Sequence, residues 1–190
     1  MAKTGERKAQ ILQTLAAMLE NPKGERITTA LLAARLDVSE AALYRHFASK
    51  AQMFEGLIEF IEQTVFTLVN KIQAEEKDAM KQVEATIATL LGFAQKNPGM
   101  TRVLTGDALV NEDERLQSRV NQLLERLEAS LRQSARLAAN AGTLPGDWDV
   151  NAYANALIAF VIGRWHLFAK SGFKKQPMEG WPQQWRIFAT

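Results

Sequence analysis

Residues 27–54 read ITTALLAARLDVSEAALYRHFASKAQMF and contain two short helical patterns separated by a tight turn. The first pattern is capped by Thr28 or Thr29, because either hydroxyl can accept a hydrogen bond from a backbone N–H that has no partner inside the helix. Leucines continue this pattern at helical spacing until Asp37, where it stops. Two short helices joined so closely predict a helix-turn-helix.

The second pattern begins at Ser39, a further N-cap, and carries Leu43 and Phe47 four residues apart. If these two side chains face the core, the opposite side of the helix is small at its N-terminal end and polar or basic at the other. Small residues let the backbone approach base edges in a DNA major groove, where an arginine can pair with guanine or phosphate. The residues predicted to contact DNA are Thr28, Thr29, Ser39, Ala41, Ala42, Tyr44, Arg45, His46 and Lys50.

Three of these predictions have structural alternatives. Tyr44 lies beside the core-facing positions of its helix and could pack in the core instead of reaching a phosphate. His46 could cap the end of the same helix. Lys50 lies in the first turn of the next helix, where its charge opposes the helix dipole, so a phosphate contact explains it better than a structural role does.

The charge of the chain is unevenly distributed. Residues 1–50 hold eight basic and five acidic residues, a net charge of +3, whereas residues 51–190 hold 15 basic and 16 acidic residues, a net charge of −1. A basic excess around the helix-turn-helix has the sign expected for a polyanionic partner.

Helical periodicity dominates the rest of the 190 residues, and alternating β-branched runs are almost absent. The predicted fold class is therefore all-α, with an N-terminal three-helix helix-turn-helix domain over residues 1–50 and a helical core and dimerisation domain over residues 51–190. Residues 112–136 carry a narrow apolar seam edged with charge, and residues 147–170 form a long apolar helix. We expect these two helices to form a homodimer, and the alternative for the seam is ordinary packing inside one subunit. We also expect a loop over residues 138–146.

Several function classes lack sequence support. The chain has no cysteine, which excludes disulfides and Cys-based metal sites, and its two histidines lie in different helices. Glycine-rich nucleotide motifs are absent, so we predict no enzyme activity, no cofactor and no metal. The most apolar run, residues 152–169, is interrupted by polar and charged residues and falls short of the roughly 20 apolar residues of a membrane span. We interpret it as a buried or dimer-forming helix of a cytoplasmic protein.

The pattern SEAALYRHFASK resembles the DNA-binding domain of TetR-type transcriptional regulators, in which the helix-turn-helix is followed by a helix that opens near a lysine, here Lys50. The stretches LIEFIE, LLGFAQKNPGMTRVLTGDAL and RVNQLLERLEASLRQ together resemble the nucleoid occlusion factors of that family, as far as about Gln133. The resemblance implies a homodimer on palindromic double-stranded DNA, with its two reading helices in successive major grooves about 34 Å apart.

The same resemblance implies a protein partner. Nucleoid occlusion factors bound to chromosomal sites engage the C-terminal tail of the tubulin-like division protein FtsZ and antagonise ring assembly over the nucleoid, which implies a cytoplasmic, nucleoid-associated location. The tail docks in these proteins between the fourth and fifth helices. The positions that match are Phe60, Gly92, Lys96, Asn97 and Arg102. Alternatively, Gly92 could only permit close helix packing, and Phe60 could belong to the core.

A TetR-type repressor controlled by a small-molecule ligand is the second hypothesis. Its ligand cavity would be lined by apolar and aromatic side chains with a few polar groups. The candidate lining residues, which could equally fill an ordinary core, are Phe93, Met100, Tyr153, Phe160 and Trp165.

Overall fold

The computed structural model describes residues 4–21, 27–145 and 147–189, and its regular elements over these residues are all helices, as predicted. We refer to α1–α3 as the head and to α4–α9 as the body. The helices are α1 (Thr4–Leu19), α2 (Thr29–Arg35), α3 (Glu40–Tyr44), α4 (Lys50–Glu75), α5 (Ala79–Lys96), α6 (Pro98–Leu104), α7 (Glu114–Asn140), α8 (Val150–Lys170) and α9 (Trp181–Phe188).

Local capping signals define the helix-turn-helix. The Thr28 hydroxyl accepts a hydrogen bond from the Leu31 N–H at 3.2 Å, and the Ser39 hydroxyl accepts one from the Ala42 N–H at 3.3 Å, so each residue caps a helix as the sequence predicts. Asp37 takes the left-handed conformation, with φ at 53°, and turns the chain between the two helices. Short aspartate side chains tolerate this conformation better than most residues do.

One continuous hydrophobic core joins the head to the body. Helix α6 crosses α1 so closely that a Cβ at Gly99 would lie 2.0 Å from the Ala16 carbonyl oxygen, which explains the glycine. The Arg102 guanidinium donates to the Leu19 and Asn21 carbonyl oxygens, both at 3.2 Å. Because these carbonyls lie at the end of α1, Arg102 satisfies groups that the helix itself leaves without a partner.

Helix α8 packs on α5 and holds the C-terminal segment. The Trp165 indole donates to the Leu90 carbonyl at 3.2 Å, and the Met178 N–H donates to the Gln95 side chain at 3.3 Å, so the C-terminal ends of α5 and α8 lie together. Arg164 donates to the three backbone carbonyls of Gln176, Pro177 and Glu179. These bonds fix the turn that leads into α9.

Among the described residues, α8 is the helix whose length and composition would allow it to cross a membrane. Part of its apolar surface is used inside the protein, because Leu157, Val161 and Trp165 are buried in the core. This agrees with our interpretation of residues 152–169 as a buried or dimer-forming helix.

One boundary differs from the sequence prediction. Helix α7 continues to Asn140, so residues 138–140 of the predicted loop are helical, because Ala138 is buried and packs in the core. Gly146, at the end of that predicted loop, lies outside the described residues. Residues 98–104 form a full helix, α6, since Pro98 is favourable at the first helical position.

Candidate nucleic-acid interface and groove

Helix α3 presents its predicted reading face to solvent. Ala41, Tyr44 and Arg45 are exposed, Ala42 is half-buried, and Leu43 on the other side is buried. Tyr44 is 45% exposed, so the alternative of a core position for this side chain does not apply. The face is small at its N-terminal end and basic at its C-terminal end, a shape that suits a major groove.

The predicted hydroxyl contacts lie at the starts of α2 and α3. Thr28 and Ser39 use their oxygens to accept backbone N–H groups, which leaves each O–H able to donate to an anion. The Thr29 hydroxyl instead donates to the Glu40 carboxylate at 2.5 Å and so joins the two helices.

His46 and Lys50 are less exposed than Tyr44 and Arg45. The His46 backbone N–H donates to the Leu43 carbonyl at 2.9 Å, and its Nδ1 is buried with no hydrogen-bond partner among the described residues. The Lys50 ammonium is paired with the Glu112 carboxylate and lies 5.6 Å from the centroid of the Phe54 ring. The structure therefore does not group Lys50 with the exposed residues of α3.

Three of the five residues implied to bind FtsZ lie together in a groove between α4 and α5. Gly92, Lys96 and Asn97 line a surface pocket of about 370 Å³ with Leu68 and Phe93. No atom of a neighbouring residue lies within 4 Å of the position that a Cβ of Gly92 would occupy. Gly92 therefore does not serve close helix packing within the chain.

The other two residues lie outside this pocket. Phe60 is 48% exposed, so it does not belong to the core; it lines a second surface pocket, of about 360 Å³, with Leu12 and Phe47. Phe60 and Leu68 are exposed apolar residues of α4 that lie two turns apart. Phe60 therefore belongs to the line of exposed side chains along α4 that reaches the groove at Leu68. Arg102 is engaged at the end of α1, as described above.

The apolar seam predicted to form part of the dimer packs inside one subunit instead. Its leucines and valine are buried in the core of the single chain: Leu116, Val120, Leu123, Leu127 and Leu131. The prediction that this seam serves the dimer is therefore wrong.

The outer face of α8 carries small residues. Ala152, Ala156, Ala159 and Gly163 are exposed, and a Cβ at Gly163 would meet no neighbouring atom within 4 Å. Small side chains let a second helix approach closely.

Comparison with known proteins places this geometry in a family. Residues 23–57 match the family described as bacterial regulatory proteins, tetR family, and residues 77–190 match the tetracyclin repressor-like C-terminal domain of SlmA-like proteins. The chain is 52% identical over 188 residues to the nucleoid occlusion factor SlmA of Alteromonas mediterranea, covering 98% of this chain and 95% of that protein. The chain belongs to the SlmA family of TetR-type proteins. The nucleoid occlusion factor SlmA of a Marinomonas species is 50% identical over 187 residues, again with 98% and 95% coverage.

Solved structures show that the SlmA-family chain has the TetR fold predicted from its sequence. The TetR family transcriptional regulator PfmR of Thermus thermophilus superposes with a TM-score of 0.77 at 19% identity, over 94% of this chain and 96% of that one. The fatty acid degradation regulator FadR of Bacillus halodurans superposes with a TM-score of 0.81 at 13% identity, over 98% of this chain and 96% of that one. The resemblance noted in the sequence is thereby confirmed, and the family is one of DNA-binding regulators, not enzymes.

The SlmA-family chain does not bring the five candidate ligand-cavity residues together. Phe93 lines the α4–α5 groove and Met100 lines the pocket beside α1. Phe160 stacks on Trp181 and Phe188 of α9. Tyr153 donates to the Phe188 carbonyl, and Trp165 to the Leu90 carbonyl. The described pockets therefore do not unite the five residues in one cavity. Tyr153, Phe160 and Trp165 pack against α9 and α5, which agrees with the alternative of an ordinary core.

The surroundings of two side chains of the body shift their pKa values. Hydrogen bonds from the Arg115 side chain and backbone lower the pKa of Asp113, the N-cap of α7, to about 2. Burial raises the pKa of Tyr153 to about 12, because its hydroxyl lies against α9.

Sequence reasoning missed the residues that connect α4 to α7. The Glu62 carboxylate of α4 accepts hydrogen bonds from Arg119 and Arg126 of α7, both at 3.0 Å. Glu112, which pairs with Lys50, lies immediately before α7. These partners are separated by 57 to 64 residues, and no periodic pattern in the sequence signals such a pairing.

Proposed function

We propose that this chain is a nucleoid occlusion factor, a homodimer that binds palindromic chromosomal sites and, when bound, antagonises FtsZ ring assembly over the nucleoid. The observation that carries the proposal is the 52% identity over nearly the whole length of a relative with that name. The proposal implies a cytoplasmic, nucleoid-associated protein, with residues 1–50 binding DNA and residues 51–190 forming the core and the dimer.

The exposed face of α3 supports the DNA-binding part of the proposal. Arg45 is exposed at the end of the short reading helix, beyond the small Ala41, so it can reach a base edge or phosphate once the backbone has entered the groove. Tyr44, Thr28 and Ser39 then offer hydroxyl groups to the flanking phosphates.

The outer face of α8 supports the dimer. The exposed alanines and glycine of this face would let the same helix of a second copy approach closely. TetR-type regulators act as dimers, and two copies would present two reading helices to one palindrome.

The α4–α5 groove supports docking of the FtsZ tail. Leu68 and Phe93 provide apolar surface, and the empty space over Gly92 admits an inserted side chain. Lys96, at the rim, has no ion-pair partner in the described part of the chain, so its ammonium is available to a carboxylate of the tail. We therefore assign Gly92, Lys96 and Asn97 to the docking site, with Phe60 extending it along α4 and Arg102 supporting it from α6.

Co-sedimentation of FtsZ polymer with the protein, with and without a palindromic duplex selected by the protein from a random library, tests this proposal. We expect the protein to reduce the pelleted FtsZ, and to do so much more strongly when the duplex is present. Lys96→Ala should weaken the effect, whereas Lys81→Ala, which removes another exposed lysine of α5, should not. DNA binding with no effect on FtsZ would contradict the proposal and favour an ordinary ligand-controlled repressor.

A further inference from the structure

The first turn of α4 is tied to the body by an ion pair. The Lys50 ammonium contacts the Glu112 carboxylate, and the two side chains are only 22% and 12% exposed. The same ammonium lies over the Phe54 ring. Because both partners have lost most of their water, the ammonium and the carboxylate depend on each other for solvation.

Glu112 lies at a point of the chain where its contact with Lys50 can affect the orientation of α4. Glu112 lies in the link between α6 and α7, one residue after Asn111, whose backbone is left-handed with φ at 64°. Asp113, the next residue, caps α7 through the Arg115 N–H. The ion pair thus connects the helix that follows the reading helix to the start of the longest helix of the body.

Two further ion pairs connect α4 to α7 itself. Glu62 lies three turns after Lys50 on α4 and binds both Arg119 and Arg126 of α7. Contacts at two separated points resist rotation of one helix against another, whereas one contact leaves a hinge. The inclination of α4 relative to α7 is therefore held at both Lys50 and Glu62.

The Glu112 pair occupies Lys50 before any DNA is bound. Because the ammonium has three N–H donors, this pair can persist whether or not a phosphate also approaches. Arg45 and Tyr44 carry no such restraint, since both are exposed. The geometry favours a Lys50 that stays with Glu112 while the exposed residues contact DNA.

We propose that Glu112 is a positioning residue for DNA binding: through Lys50 it fixes the tilt of α4 and thereby the separation of the two reading helices in the dimer. This inference rests on the proposed function, because the separation matters only to a dimer on a palindrome. Reading helices that enter successive major grooves must be spaced about one helical turn of DNA apart. A looser α4 would accept more than one spacing.

Half-site spacing is the measurement that separates positioning from mere stability. A duplex selected by the wild-type protein is remade with its half-sites moved together or apart by one and two base pairs, and the affinity for each is measured at fixed salt. We expect the affinity of the wild-type protein to fall at least tenfold when the half-sites are moved by two base pairs. The affinity of Glu112→Gln should fall less than threefold for the same change. Glu114→Gln, which removes an exposed carboxylate in the first turn of α7, is the matched control and should keep the wild-type profile.

Exchange of the two charges tests whether the pair itself is responsible. In the double variant Lys50→Glu with Glu112→Lys the ion pair is rebuilt, so strict spacing should return although no cation remains at position 50. Melting curves and sedimentation of each variant check that it folds and dimerises. If the exchanged protein does not fold, the comparison of Glu112→Gln with Glu114→Gln decides.

The outcomes are distinct. Strict spacing retained by Glu112→Gln would overturn the inference alone. A second result would also overturn it: Glu112→Gln binds every duplex more tightly than the wild type, and the binding of Lys50→Met depends less on salt, by about one phosphate contact for each head. Lys50 would then be a phosphate ligand that the loss of Glu112 releases. A wild-type protein that selects no duplex would overturn the proposed function and this inference together.

Discussion

Replacement of Gly92 by alanine and by leucine should separate folding from partner binding. A Cβ at Gly92 would meet no neighbouring atom within 4 Å, so a methyl group fits without strain. Glycine inside a helix costs about 0.5–1 kcal/mol relative to alanine. Gly92→Ala should therefore stabilise the protein by about that amount and raise its Tm by about 1–4 °C.

Leucine at the same position should occupy the groove. Its side chain would extend into the pocket of about 370 Å³ between Leu68 and Phe93, where we place an apolar side chain of the FtsZ tail. Exclusion of one such side chain forfeits about 1.5–3 kcal/mol of burial, which corresponds to roughly tenfold to hundredfold weaker binding. Gly92→Leu should keep its fold, its dimer and its DNA affinity.

Calorimetry measures the change in stability, and the anisotropy of a labelled tail peptide measures the change in its binding. Gly99→Ala is the control. Its Cβ would lie 2.0 Å from the Ala16 carbonyl oxygen, so this substitution should destabilise the protein by about 1–3 kcal/mol. A lower Tm for Gly92→Ala would show that Gly92 is packed against another element. Wild-type affinity of Gly92→Leu for the tail would refute the assignment of the groove.

Three further predictions concern DNA binding, pH and the dimer. Arg45→Ala should weaken specific DNA binding by about 1–3 kcal/mol at fixed salt without affecting the dimer, and Lys77→Ala, an exposed charge remote from α3, should not; unchanged affinity would remove Arg45 from the interface. The pKa of Tyr153, raised by burial to about 12 from an ordinary 10, means that its neutral form stabilises the fold below pH 10 and that this contribution is lost between pH 10 and 12. Tyr153→Phe should therefore flatten the alkaline fall in Tm while losing about 1 kcal/mol at neutral pH with the hydrogen bond to Phe188, and an unaltered alkaline profile would contradict this reasoning. Ala159→Glu on the outer face of α8 should sediment as a monomer and bind the palindrome poorly, whereas Ala74→Glu should remain a dimer; a dimeric Ala159→Glu would mean that the copies meet elsewhere.

Local signals in the sequence predicted the parts of the fold that depend on nearby residues. Thr28 and Ser39 cap the helices that their hydroxyls predict, and Leu43 is buried while Arg45 is exposed, as the helical period requires. The resemblance carried by LYRHFASK and the later stretches predicted the family, because those residues combine packing and recognition in a fixed order.

Contacts between distant residues were beyond such reasoning. Nothing in the sequence indicates that Lys50 pairs with Glu112, or that Arg102 reaches the end of α1, because these partners are brought together only by packing of the helices. The scattering of the expected ligand-cavity residues has the same cause, since aromatic side chains at helical spacing can face either a cavity or another helix. Phe160, which packs on α9, is an example.

The central claim is that one dimer holds a specific duplex and the FtsZ tail at the same time. Analytical ultracentrifugation with the duplex and the tail peptide labelled in different colours measures this directly. We predict a single species that carries both labels, with tail affinity higher in the presence of the duplex, and loss of only the tail label in Gly92→Leu. Separate species for duplex and tail, or displacement of one by the other, would contradict the account.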